Sequence, residues 1–208
     1  MENKLNNTKV VILGTAHGSN VAGKRSPDGK FREYKFSRDV IQLIKPKLEE
    51  LGYTVYIDII ADVVPLPQSV ELKKRVQIVN EICRKHGTIN CVYVSVHNDA
   101  AGNGRDWHNA KGFSVHVSMI GSEKSKKLAR IFTSNARRND LCGNRSIPTC
   151  QYHSSNFYVL NNTICPAVLT ENMFQDNKDD VAFLLSEKGI QAIAELHVSS
   201  INEYFKTL

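Results

Sequence analysis

No stretch of this chain is long and apolar enough to cross a membrane as a helix. The longest apolar runs, Val55 to Val64 and Ile89 to Val96, are short and broken by polar residues, against the ~20 apolar residues a span requires. The opening segment, Met1 to Lys9, is polar and lacks both an apolar h-region and a small-residue cleavage site, so a secretory leader is not expected. Cysteine is sparse: the five residues Cys83, Cys91, Cys142, Cys150 and Cys165 are odd in number and form no C-x-x-C pair. That speaks against a disulfide framework and against a cysteine zinc site. Cys142 and Cys150 are accordingly read as free thiols. H-E-x-x-H, G-x-x-x-x-G-K-[ST], G-x-S-x-G and G-x-G-x-x-G are all absent, which removes the zincin, P-loop, serine-hydrolase and dinucleotide-binding readings.

What is present fits a soluble globular domain. With 208 residues, 41% of them hydrophobic, the chain is long enough to bury a substantial core, and the expectation is one domain over residues 1–208. The net charge of +6 suits an anionic partner such as nucleic acid, a membrane surface or a polyanionic cell wall. The densest basic stretches, Lys124 to Lys127 and Arg137 to Arg138, lack interleaved aromatics and read as a solvated helix face.

Strand and helix signals alternate along the whole chain, which predicts an α/β fold of three layers. The sheet is expected to be open, mixed but mostly parallel, with about six strands flanked by helices. The expected strands are Val10–Leu13, Tyr53–Ile60, Cys91–Val96, Phe113–Met119, Phe157–Leu160 and Ala167–Thr170. Phe36, Val40, Ile44, Leu48 and Leu51 recur at helical spacing before Gly52, with Pro46 expected to kink that helix. Further helices are expected around Leu72 to Ile82, Ser122 to Arg138, Asp179 to Leu185 and Gly189 to Phe205. Asp140 to Asn156 reads as irregular.

Three residues capable of metal or acid/base chemistry, His17, His97 and Glu171, fall just past the ends of three expected strands. In an open α/β sheet that edge is where sites form. Catalytic zinc takes three protein ligands and keeps one open position, and two histidines with one carboxylate are a common set. Glu33, in the first turn of the helix after the His17 loop, is the leading carboxylate, with Asp28 and Asp39 as rivals. Compensation of the helix N-terminus would explain Glu33 equally well. Glu171 is placed to act as the base that a metal-assisted hydrolysis needs.

Ala16-His17-Gly18, Phe31-Arg32-Glu33-Tyr34, Ser95-Val96-His97-Asn98-Asp99-Ala100 and the run Pro166-Ala167-Val168-Leu169-Thr170-Glu171-Asn172-Met173-Phe174-Gln175-Asp176-Asn177 together resemble the zinc-dependent N-acetylmuramoyl-L-alanine amidases. The last follows the pattern P-A-[VI]-L-x-E-x-x-F-x-x-N and is the most specific. Around Trp107-His108-Asn109-Ala110 and from Asp180 to Val198 the chain is similar to phage and prophage members of gut Bacteroidetes. The usual D-P-G-H-G turn appears here as Gly14-Thr15-Ala16-His17-Gly18, without the proline and the acid.

The resemblance implies one Zn2+ per chain held by His17, Glu33 and His97, with Glu171 as general base and then acid. The implied reaction is hydrolysis of the amide between N-acetylmuramic acid and the L-alanine of the stem peptide in peptidoglycan. Members of the family often carry a separate wall-binding domain, and none is expected here; a monomer and no nucleic-acid partner are expected, and the missing leader favours a phage-lysin mode of release to the wall. Asn98, His108 and Arg145 are candidate substrate contacts; Asp39, Asn98 and Asp99 are candidate supports for the histidine ligands. His116 is read as structural, and His153 and Arg145 sit in a loop expected to flank the site. Two other readings remain: a zinc peptidase cutting within the stem peptide, and a non-catalytic basic wall-binding module.

Overall fold

A computed structural model of the chain describes residues 8–208, so the expectation for the N-terminal segment lies, through residue 7, outside the described residues. Six strands form one sheet: β1 (Val10–Thr15), β2 (Thr54–Ile57), β3 (Cys91–Asp99), β4 (Ser114–Ser118), β5 (His153–Ser155) and β6 (Ala167–Phe174). Their spatial order is β2-β1-β3-β6-β4-β5. All neighbours run parallel except β4 and β6, which are antiparallel. The helices are α1 (Glu33–Glu50), α2 (Gln68–His86), α3 (Glu123–Arg138), α4 (Tyr158–Asn162), α5 (Lys178–Leu184) and α6 (Glu187–Lys206).

Alternation along the strands assigns each face its layer, because successive side chains of a strand point to opposite sides. Val92, Val94 and Val96 of β3 join Val11 and Leu13 in a large core under α1, α3 and α6, filled by Val40, Ile44, Phe132 and Ile201. The opposite set, Cys91 and Tyr93, joins Val10, Ile12 and Leu169 in a smaller core under α2 and α4, with Val79, Cys83 and Leu160. Gly14 is required on that side: a Cβ there would lie 2.3 Å from the Tyr93 hydroxyl. The smaller layer matters for function. Because α4 has only 5 residues, the carboxyl ends of β3 and β6 on this face stay uncovered, and a cleft of about 410 Å³ opens there.

Two strand expectations are corrected. Phe157–Leu160 is not a strand: Tyr158–Asn162 is a helical turn that buries Val159 and Leu160 against α2's face. Its apolar run has the length of either element, and periodicity alone does not separate them. The sixth strand is instead β5, inside the stretch read as irregular, paired over His153 to Ser155 with β4. Pro46 is accommodated within α1, which runs on to Glu50.

Candidate metal centre

The same alternation that put Tyr93 and Leu169 into the smaller core carries their faces forward to His97 and Glu171. Both lie inside their strands and oppose each other in register. They are therefore not just past the strand ends, as the sequence suggested: β3 continues to Asp99 and β6 to Phe174, with a register shift between the His97 and Asp99 pairings. That continuation is locked by two asparagines. Asn98 Nδ2 donates to the Asn172 carbonyl at 2.5 Å, and Asn172 Nδ2 donates to the His97 carbonyl at 2.9 Å.

His17 follows β1 by two residues with φ of 28°, in the left-handed region that costs a non-glycine residue energy. Two arginines hold this turn. Arg38 of α1 donates to the Ala16 and His17 carbonyls at 2.9 and 3.0 Å, and Arg75 of α2 reaches the His17 carbonyl at 3.5 Å. Ser37 stitches β1 to β3, accepting from the Ala16 amide and donating to the Val96 carbonyl, each at 2.8 Å. Glu33 opens α1 fully buried, its amide bound to the Lys24 carbonyl at 3.1 Å.

These three side chains converge. One ligand atom each from His17, Glu33 and His97 lies within 4.8 Å of the others, and among the described residues no other group of three qualifies. Nδ1 of His97 is 3.0 Å from Glu33 Oε1, and Nε2 of His17 is 3.9 Å from Oε2. A tetrahedral ion with bonds of about 2.0–2.1 Å separates its ligand atoms by roughly 3.3 Å, so these spacings bracket what a small divalent cation needs. Glu33 Oε2 is buried with no hydrogen-bond partner, an expensive state that a cation would relieve. The protonation states also fit. Burial, seconded by His97, Lys24 and Arg75 and opposed by Glu33, lowers His17 to about 3, which leaves its lone pair free. Burial pushes Glu33 upward, but the His97 hydrogen bond and the neighbouring His17 and Lys24 outweigh it and hold the carboxyl down to about 2.

Glu171 faces this group with Oε2 buried and unpartnered. Burial, then the nearby Asp99 and Glu33, raise its pKa well above the usual carboxylate value. A carboxyl raised in this way holds a proton more readily than an ordinary carboxylate, as a residue that must return one requires.

The remaining sequence candidates are placed as follows. Asn98 is buried; its amide N–H donates to Glu33 Oε1 at 3.2 Å, so it fixes that candidate donor in place. Asp99 lines the cleft and takes Arg145 at 2.5 Å, while the Arg145 guanidinium stacks 4.3 Å from the Phe174 ring. Arg145 is thus already paired. His108 stands behind Gly102, in a separate depression with Trp107 and Lys178. His116 stacks on His153 at 5.0 Å and bonds Ser155 Oγ at 2.7 Å. Asp28 binds Ser26 and Lys30, and Asp39 pairs with Lys35, so neither rival of Glu33 enters the site.

Besides Arg38 and Ser37, three participants escaped the sequence reading. Lys24 lines the cleft with Nζ 3.7 Å from Glu33 Oε2. Arg75 and Asp58 form a buried ion pair at 2.8 Å under the His17 turn, and Asp58 also accepts from the Thr15 amide.

Residues 11–203 match the family described as N-acetylmuramoyl-L-alanine amidase. The chain belongs to that amidase family. An endolysin of Bacillus phage SPP1 is 24% identical over 200 residues, covering 94% of this chain and 66% of that protein. An N-acetylmuramoyl-L-alanine amidase of Bacillus licheniformis is 44% identical over 52 residues, 25% of this chain and 21% of the relative. The chain thus spans less than two thirds of the length of the curated relatives it matches. Its fold is shared with the crystal structure of an N-acetylmuramoyl-L-alanine amidase from Clostridium difficile 630, with TM-score 0.80 and 22% identity over 96% of this chain and 98% of that one.

Proposed function

We propose that this amidase hydrolyses the bond between N-acetylmuramic acid and the L-alanine of the stem peptide, using one zinc ion held by His17, Glu33 and His97. The observation that carries this reading is the convergence of those three donors opposite Glu171, in a chain whose family match covers residues 11–203. Bound there, zinc supplies a Lewis acid that polarises the amide carbonyl and lowers the pKa of a water to about 7.

The protein's own residues do the rest. Glu171 takes a proton from the attacking water and delivers it to the departing alanine nitrogen, acting as base and then acid. Asn98 fixes the Glu33 carboxylate through its backbone amide, and Arg38 and Arg75 hold the strained His17 turn, so the donor set is rigid before substrate arrives. The 208 residues work as one catalytic unit and a monomer. The likeness to a phage endolysin supports action on the wall after release from the cytoplasm.

The test joins metal analysis to digestion of purified peptidoglycan. Wild-type protein is expected to carry one zinc, clear the wall suspension and expose free N-terminal alanine by mass spectrometry. Glu171→Gln should keep the zinc and lose at least about 100-fold in rate. His97→Ala should lose stoichiometric zinc. The reading is falsified if Glu171→Gln digests walls as fast as wild type, and fragments cut within the peptide would point to the peptidase instead.

A further inference from the structure

The cleft extends past the metal ligands, over the sheet between α2 and α4, and ends at a carboxylate that catalysis does not use. Glu71 is 1% exposed and lines this arm. Its Oε1 accepts from Arg75 Nε at 3.0 Å and Nη2 at 2.8 Å. The other Arg75 donors are spent on Asp58, Thr15 and the His17 carbonyl. No donor is left for Oε2, which is buried without a partner. Asp58 and Glu71 share direct contact with the single guanidinium of Arg75, while the second guanidinium nearby, that of Arg38, donates to backbone carbonyls and pairs with Asp62.

The surroundings say what would satisfy that oxygen. Leu72 and Leu169 supply apolar wall, and the half-exposed rings of Phe157 and Tyr158 form the opposite lip. At the other end stands the Lys24 ammonium beside the metal ligands. The arm is therefore greasy along its sides, anionic at its end and cationic at its mouth. This is the complement of an alkyl chain tipped with an ammonium group, whose methylenes contact the walls while the charged tip makes a charge-assisted hydrogen bond.

We propose that this arm is a subsite for a primary ammonium group on an alkyl side chain, bound through Glu71. Resting on the amidase reading, the inference assigns the group to the diamino acid of the stem peptide, so that the enzyme distinguishes stems whose side-chain amine is free from stems where it is acylated.

The experiment uses the zinc-loaded Glu171→Gln protein, which holds substrate without turnover, and two synthetic muramoyl-tripeptides that differ only in acetylation of the side-chain amine. Calorimetry should show the free amine binding about tenfold more tightly, equivalent to about 1.4 kcal/mol. Adding Glu71→Gln, which keeps an acceptor for Arg75, should abolish the difference. Equal binding of both peptides to Glu171→Gln, no binding of either, or preference surviving in the double variant would each overturn the subsite. Wild-type cleavage is scored in parallel by mass spectrometry. If both peptides are cut at the muramoyl amide but bound equally, the subsite fails and the amidase stands. If neither is cut while the amine is still distinguished, the amidase reading fails and the ammonium site remains.

Discussion

Glu33 sits among two histidines and one ammonium, and that crowding decides how the centre handles charge. Lys24 Nζ at 3.7 Å from Glu33 Oε2 neutralises the carboxylate when no cation is bound, and opposes a cation when one arrives. The side chain is about one-third exposed, so the repulsion is screened. Lys24→Met is therefore expected to tighten zinc binding by roughly three- to tenfold, the effect of about 1 kcal/mol between unit charges about 4 Å apart when water screens them fully. Competition against a chromophoric chelator measures this, and the gain should shrink as salt is raised. Unchanged affinity at low salt would show that the ammonium turns away from the centre. At this scale the sequence was informative where motif and fold agree: His97 and Glu171 fall on one strand register, and Glu33 opens a helix directed at them. Lys24 was invisible, because a lysine in a glycine- and serine-rich loop has the same local pattern whether it faces solvent or a metal site. Its position depends on the Glu33 amide reaching the Lys24 carbonyl and on the bridge between Arg25 and Arg32, neither of which has a sequence signature.

Helix α2 contributes more to the site than its pattern announces. Glu71 and Arg75 stand four residues apart, the spacing of an ordinary solvated helix pair worth a few tenths of a kcal/mol. Here both are buried, and Arg75 joins α2 to Asp58 after β2, to Thr15 of β1 and to the His17 turn. Removing Arg75 would strand two buried carboxylates, so Arg75→Met is expected to cost about 3–5 kcal/mol in urea unfolding. Lys45→Met on α1, which breaks the exposed pair with Glu49, should cost less than about 0.5 kcal/mol. A loss below about 1 kcal/mol for Arg75→Met would show that the cluster does not hold the turn. The strand errors have a related origin. β5 is a 3-residue edge strand with one exposed and two half-buried residues, too short for alternation to register. The apolar run after it looks like a strand until α2 is known to lie above it. The extensions of β3 and β6 depend on cross-strand asparagine bonds between residues 74 and 75 positions apart, which no local window reports.

Over the whole molecule, acid sensitivity follows from histidines that the fold keeps neutral. His197 of α6 is completely buried beneath Phe132, where its Nδ1–H donates to the Ile193 carbonyl and Thr170 Oγ1 bonds Nε2. Burial lowers its pKa to about 4, and His116, half-buried against His153, is also lowered to about 4. In the unfolded chain a histidine titrates near 6.5. Between those values the unfolded state binds protons that the native state refuses, so stability is complete above about pH 6.5 and falls as pH drops toward 4. A difference of about 2.5 units at His197 corresponds to roughly 3 kcal/mol. Glu171 works in the opposite sense, since its raised carboxyl binds a proton in the native state that the unfolded chain has released, and its contribution is lost as pH rises. Comparing two proteins that share Glu171 removes that term. In chelator-treated protein, urea unfolding of wild type should lose stability between pH 6.5 and 4 more steeply than His197→Gln, by up to one proton's worth of slope. Zinc should raise the wild-type curve at neutral pH, with the logarithm of its concentration over its dissociation constant, and the gain should shrink as pH falls because the ligands bind metal only when deprotonated. Equal slopes for wild type and His197→Gln would show that another group governs the acid transition.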